Sequence, residues 1–270
     1  MKDKFKVFDA HCHIYPEKIV DRAVPATDRF YDVTSACRGT VEDLLRENDE
    51  AGVDLSLVES VATTPKQVPS INRFIAAAVS AHPDRLCGLG TLHPDSEDLE
   101  ADVRQIVSLG LKGVKLHPEI QGFKVDEARC MPIYELCTAY RLPLLMHTGD
   151  KRYDCSNPDR LLPLLKKFSG MTFIGAHFGG WSLWEEAYKT LAGLPNLYVD
   201  CSSSFYRMTP GSVKKVVSAY GTDRVLFGTD YPMWKPESEL DYLFSVGFDD
   251  EDLKKMLWDN AASVFFPEQI

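Results

Sequence analysis

The sequence predicts an α/β fold, a (β/α)8 TIM barrel, and three observations carry that prediction. Eight short apolar runs are spread along the 270 residues. Helical patterns fill most of the gaps between them. Six of the seven histidines fall at or just beyond the C-terminal ends of those runs.

The apolar runs are residues 4–11, 52–60, 85–93, 110–117, 142–147, 171–177, 196–202 and 223–230. Each is rich in Val, Leu, Ile or Phe and closes on a turn or polar residue, as strands buried on both faces do. Between them, Thr40 precedes VEDLLRENDEAG as an N-cap. Residues 70–81 form a second helical pattern, and Asp95 or Ser96 opens a third that stops at Gly110. Further helices are expected over 126–141, over 158–169 with Pro158 in the first turn, over 181–193, over 209–221 and from 249 onward. Strand and helix alternation argues for parallel βαβ units, and eight of them suit a closed barrel. An open doubly wound sheet is the alternative, but no GxGxxG follows the first run, which weakens its dinucleotide-binding form. No repeat, low-complexity stretch or linker divides the chain, so one domain over 1–270 is expected. Ile14 to Gly39 reads as a long loop, a feature that is usually functional or mobile.

Composition narrows the function. Hydrophobic residues make up 44% and the formal net charge is −10, a soluble globular balance that attracts neither nucleic acid nor an anionic membrane. No run approaches the ~18 apolar residues of a membrane span, and the start, MKDKFKVFDAHCH, lacks the long apolar stretch that a signal peptide needs. The seven cysteines are odd in number and contain no CxxC, which fits reduced thiols in a cytoplasmic protein.

Chemistry concentrates at one end of the runs. The first ends in His11 and His13, the third in His93, the fourth in His117, the fifth in His147, the sixth in His177 and the eighth in Asp230. In a barrel of this kind the active site lies at the C-terminal strand ends. Residues two apart on a strand share a face, so His11 and His13 both point into the barrel mouth while Cys12 points away. Two converging imidazoles suit two metal ligands, and His147 and Asp230 at matching strand ends strengthen that reading. Zn(II) accepts imidazole and carboxylate donors. By the same alternation Gly113, Lys115 and His117 share an inward face, which makes Lys115 a lysine inside a barrel. His93 and His117, each followed by proline, read as structural or rim residues, and His82 as structural.

The ordered pieces DAHCH (9–13), GVKLHP (113–118), LLMHTG (144–149), GAHFGG (175–180), LFGTDYP (226–232) and DNAASVF (259–265) resemble the amidohydrolase superfamily. The resemblance is to the amidohydrolase-related branch that includes amino-carboxymuconate-semialdehyde decarboxylase. It implies a distorted (β/α)8 barrel with a divalent metal. By resemblance His11, His13 and His147 are metal ligands, and Asp230 is the fourth ligand or the base beside a metal-bound water. His177 is then an acid/base group that orients water or polarises substrate. One divalent metal is expected, zinc first and manganese second; a second metal bridged by a carboxylated Lys115 is the less favoured arrangement. Lys115, Trp181 and Arg207 are the expected substrate contacts, and one of the loop arginines Arg22, Arg29 and Arg38 could clamp a carboxylate.

The leading functional reading is a metal-dependent hydrolase of a small-molecule ester, lactone or amide. The rival is a metal-dependent non-oxidative decarboxylase of a small carboxylic acid. A ligand-binding barrel with a purely structural metal is the third reading. The expected partner is a small molecule, with a homodimer expected only by analogy of fold.

Overall fold

The computed structural model describes residues 4–267. Its strands are β1 (Phe8–His13), β2 (Leu55–Glu59), β3 (Leu86–Gly88), β4 (Gly90–Thr91), β5 (Val114–Leu116), β6 (Leu144–Met146), β7 (Phe173–Gly175), β8 (Leu197–Asp200) and β9 (Val225–Leu226). All the ladders are parallel, in the orders β1-β2-β3 and β4-β5-β6-β7-β8-β9. β3 and β4 form a single stave that changes partner at its middle. The Leu89 N–H bonds Val58 O at 3.0 Å, whereas the next N–H, Gly90, bonds Gly113 O at 2.9 Å. The ring closes where Ala10 N–H reaches Phe227 O and Asp230 N–H reaches His11 O, both at 2.9 Å. The result is the expected (β/α)8 barrel of eight staves.

Alternation along the strands builds two apolar layers. Phe8, Ala10, Leu57, Leu89, Leu145, Ile174 and Leu226 fill the barrel interior. Val58, Val114, Leu116, Leu144, Met146 and Phe173 face the surrounding helices. The last helix, α12 (Asn260–Phe265) by the numbering below, joins the inner cluster through Ala261, Val264 and Phe265 and closes the far end of the barrel. The Phe8 ring packs 6.1 Å from Phe265 and 5.9 Å from Trp258.

β1 needs a change of phase to serve both the core and the site. Strict alternation from Phe8 and Ala10 would put Cys12 inside. A register shift between Asp9 and Cys12 reverses the pattern, so Cys12 packs outward and His11 and His13 turn inward.

The helices are α1 (Glu17–Tyr31), α2 (Val41–Ala51), α3 (Val68–Ala81), α4 (Leu99–Ser108), α5 (Pro118–Gln121), α6 (Met131–Ala139), α7 (Pro158–Lys167), α8 (Trp184–Leu191), α9 (Pro210–Tyr220), α10 (Pro236–Val246), α11 (Asp250–Lys254) and α12, with a π-helical segment over Lys255–Asp259. Thr40 caps α2 by accepting the Asp43 N–H at 3.3 Å. The cap of α4 is Asp98, three residues beyond the earlier of the two expected positions.

The segment read as a long loop instead contains α1. Pro25 sits inside that helix, where a proline costs about 3 kcal/mol relative to alanine. The helix persists because one face, with Val20 and Val24 buried, packs across the barrel mouth. α10 lies between the expected elements; its Pro236 occupies the first turn, where proline is tolerated. No helix among the described residues is long and apolar enough to cross a membrane. All seven cysteines are free.

Candidate active site

The C-terminal strand ends deliver ionisable side chains into one buried cluster. His11 Nε2 and His13 Nε2 are 3.3 Å apart, and Asp230 Oδ1 lies 3.4 Å from each. These three atoms form a nearly equilateral triangle. A tetrahedral centre with bonds of about 2.0–2.1 Å has edges of about 3.3–3.4 Å, so the triangle fits one face of such a centre. Two imidazoles and a carboxylate are also a suitable donor set for a divalent metal.

Each member is held in place by its neighbours. His11 Nδ1 donates to Asp200 Oδ2 at 2.9 Å, which leaves the Nε2 lone pair facing the triangle. Asp200, at the end of β8, also accepts the His177 N–H at 3.1 Å and the Ser202 N–H at 3.0 Å. Burial pushes the Asp200 carboxyl up, but His11, His177 and Ser202 outweigh it and hold it well below the usual range. Asp230 Oδ2 accepts the Ser203 hydroxyl at 2.5 Å, and Ser203 in turn accepts Trp234 Nε1–H at 2.8 Å. Burial of Asp230 is likewise outweighed by His11, His177 and His13, so its carboxyl lies well below the ordinary value.

The backbone is bent to aim these groups. His177 and Asp230 have φ of 60° and 62°, a region most side chains avoid at a cost of order 1–3 kcal/mol. The Asp200 and His11 hydrogen bonds to their N–H groups offset that cost. Gly228 permits close approach, since a Cβ there would lie 2.9 Å from His11 Cβ. Gly149, at φ 67°, lets the loops after β6 and β7 touch; its Cβ would lie 2.7 Å from Gly180 Cα. Gly179, at φ 75°, and Gly180 serve the tight turn there.

Glu59 was not foreseen as a site residue. It ends β2, is fully buried, and places Oε1 3.2 Å from His11 Nε2 and 3.7 Å from His13 Nε2. His11, His13 and Glu59 together could hold a metal ion. Lys115, fully buried on β5, brings Nζ 2.7 Å from Glu59 Oε1 and 2.8 Å from His11 Nε2. Lys115 answers the charge at Oε1, whereas Oε2 has no hydrogen-bond donor, a costly state for a buried carboxylate oxygen. Burial and Lys115 push the His11 imidazole down, yet Asp200, Glu59 and Asp230 raise it above its ordinary value. The field at the triangle is therefore one that attracts a cation.

The remaining histidines form a second row. His147 does not join the triangle: its Nδ1 lies 3.0 Å from His177 Nε2, and its Nε2 lies 3.9 Å from Glu119 Oε2. The ring stacks 4.1 Å from that of His117. His177 Nδ1 donates to Ser202 O at 2.9 Å, so Nε2 carries the lone pair. Burial, opposed by Asp230 and Asp200, lowers its pKa to about 4. His117, read from sequence as a structural or rim residue, lines the cavity and lies 2.6 Å from the Tyr31 hydroxyl. Its Nδ1 accepts the Ile120 N–H at 3.3 Å, so Nε2–H points at Tyr31 and leaves the phenol proton free to donate. Tyr31, carried by α1, is a site residue that a loop reading could not find.

A cavity of about 680 Å³ opens above this floor, lined by His11, His13, Lys115, His117, His147, His177 and Asp230. Met233 and Tyr31 are among the residues of its walls. Trp181 lies beside it in a smaller recess, its ring 5.2 Å edge-on to Tyr31. Arg207 is exposed and stacks on Tyr206 at 5.3 Å, and it does not line the cavity. Arg22, Arg29 and Arg38 are also exposed and absent from the lining. Arg207 follows a short turn after β8 that directs it to solvent, which spacing alone did not show. His93 is buried outside the cavity, and its Nδ1 accepts the Asp95 N–H at 3.2 Å.

Known proteins resemble this chain in sequence and fold. The gamma-resorcylate decarboxylase of a Polaromonas species is 25% identical over 283 residues, covering 82% of this chain and 86% of that protein. The 2-amino-3-carboxymuconate-6-semialdehyde decarboxylase of Dictyostelium discoideum is 30% identical over 97 residues, covering 35% and 27%. Among solved structures, 5-carboxyvanillate decarboxylase from Sphingomonas paucimobilis superposes with a TM-score of 0.75 at 18% identity, covering 97% and 99% of the two chains. The model of the amidohydrolase family matches residues 8–266, and the chain belongs to that family.

Proposed function

We propose that this protein is a metal-dependent non-oxidative decarboxylase, a lyase acting on a small carboxylic acid. The triangle of His11, His13 and Asp230 at the floor of a closed-ended cavity is the observation that carries the proposal. Relatives with assigned reactions, gamma-resorcylate decarboxylase among them, favour decarboxylation over the hydrolysis that the sequence first suggested. His11, His13 and Asp230 would hold the metal, and His147, in the same cavity lining, is the further imidazole available to complete the set. Zinc is the proposed metal and manganese the alternative. Manganese is bound in the solved structure of a dihydroxybenzoic acid decarboxylase from Polaromonas.

A divalent cation held there supplies a positive centre that polarises a carboxylate or hydroxyl oxygen. The chain's own groups do the rest. Lys115 has three N–H donors; Glu59 engages one, and with His11 Nε2 given to the metal two remain, one of them for the substrate carboxylate. Tyr31 donates its phenol proton to a substrate oxygen. His177, neutral at pH 7, accepts a proton through Nε2 from a substrate hydroxyl. When the carbon–carboxylate bond breaks, carbon dioxide leaves and the carbon keeps the electron pair. That carbon takes one proton, which we assign to the one His177 accepted, and the substrate oxygen recovers its proton from solvent.

The test is incubation with a panel of hydroxylated aromatic acids in D2O, reading carbon dioxide release and deuterium in the product by NMR. Carbon dioxide released one-to-one with a ring-deuterated product is the expected result. Ester or lactone cleavage without carbon dioxide would replace this reading with the hydrolase.

A further inference from the structure

The cavity is larger than a single-ring acid needs. At roughly 30 Å³ per water its ~680 Å³ holds about twenty water-sized groups, whereas a hydroxybenzoate has only about ten non-hydrogen atoms. Its shape agrees. The α1 residues that line it run from Ile19 through Ala23 to Phe30. At 1.5 Å per residue that row extends about 16 Å, roughly twice the length of one substituted ring. Ile71 and Phe74 of α3 add to the apolar lining. The cations are few: among the described lining residues only Lys115, on the floor, and Lys18, exposed at the mouth, carry a fixed positive charge. The polar groups along this stretch, Thr27, Thr63, Gln67 and Ser70, are neutral, so a second carboxylate there would meet no cation short of Lys18.

We propose that the substrate is a monocarboxylate with an extended apolar arm. Its reacting end lies at Lys115 and Asp230, and the arm, of about ten non-hydrogen atoms, lies along α1 against Ile71 and Phe74. The assignment of the reacting end rests on the decarboxylase reading.

The test is calorimetric titration of the metal-containing protein with straight-chain carboxylates from butanoate to decanoate, which the enzyme does not turn over. Affinity should rise about threefold to fourfold per added methylene. Octanedioate should bind at least tenfold more weakly than octanoate. Ala23→Trp and Ile71→Trp fill the arm's space at two separate points, and each should flatten the chain-length dependence while the melting transition shows a folded protein. A flat series in the wild type, equal binding of octanedioate and octanoate, or an unchanged slope in both folded variants would overturn the proposal. A steep series from a protein that cleaves esters without releasing carbon dioxide supports the arm and overturns the decarboxylase. A flat series from a protein that releases carbon dioxide does the reverse.

Discussion

Replacing Lys115 by methionine removes the charge and keeps most of the side chain's volume. Lys115 and Glu59 are both fully buried, and their charged atoms are 2.7 Å apart. At an effective dielectric of about 20 the pair attracts by roughly 6 kcal/mol, most of it offset by the cost of taking both ions out of water. Removing one partner leaves the other charge buried and alone, at a cost of about 3–5 kcal/mol. The entropy of unfolding for 270 residues is about 0.57 kcal/mol per degree, so K115M should melt about 5–9 °C lower. K115M/E59Q removes both charges and should recover most of that loss. Melting curves of the wild type, the two single variants and the double variant close the cycle. Strictly additive losses would refute the pair. Metal content gives a second readout. An ammonium beside His11 Nε2 disfavours a nearby cation, so K115M should keep or gain metal. Loss of metal in a folded K115M would instead make Lys115 part of the ligand set, as a carboxylated bridge requires.

Other perturbations read other parts of the structure. Asp200→Asn removes the carboxylate that orients His11, and metal affinity should fall about 10–100-fold in competition with a chelator; unchanged affinity would remove Asp200 from the support of the site. Glu239 on α10 is buried with an unpartnered Oε2, and burial with Asp9 and Asp230 nearby raises its pKa to about 8. Its folded form holds a proton that the unfolded chain loses near pH 4.5, so its contribution to stability is full below that pH and is lost as pH rises through about 8. Denaturant titrations should therefore show E239Q more stable than wild type at pH 8 by a few kcal/mol, with the gap closing towards pH 4.5; an equal gap at both pH values would contradict the buried carboxyl. Phe8→Ala empties the space against Phe265 and Trp258 and should cost about 3–5 kcal/mol with metal content intact. A loss below 1 kcal/mol would mean that α12 does not seal the barrel.

The barrel was legible because its strands are buried on both faces, so VDLSLVE and LPLLM stand out as apolar runs closed by turns. The strand-end histidines were legible for the same reason, as polar residues where the runs stop. The phase change within β1 was not, because the register shift between Asp9 and Cys12 depends on pairing with β2. Glu59 and Asp200 carried a signal that could have been used: each is the lone charged residue of its strand and closes it. Tyr31 was hidden by Pro25, which argues for a loop locally and is overruled by packing across the barrel mouth. The direction of Arg207 depends on a turn after β8 whose geometry the residue pattern does not encode. The pairing of His147 with His177 depends on side-chain rotation, to which strand spacing is blind.

The central claim is a divalent metal held by His11, His13 and Asp230. Elemental analysis of protein purified without chelator tests it most directly, on the wild type and on His11→Asn/His13→Asn. About one divalent ion per chain is expected in the wild type and less than about a tenth of that in the variant, with both proteins folded. A wild type that holds no metal even after zinc or manganese is added, or a variant that keeps its ion, would contradict it.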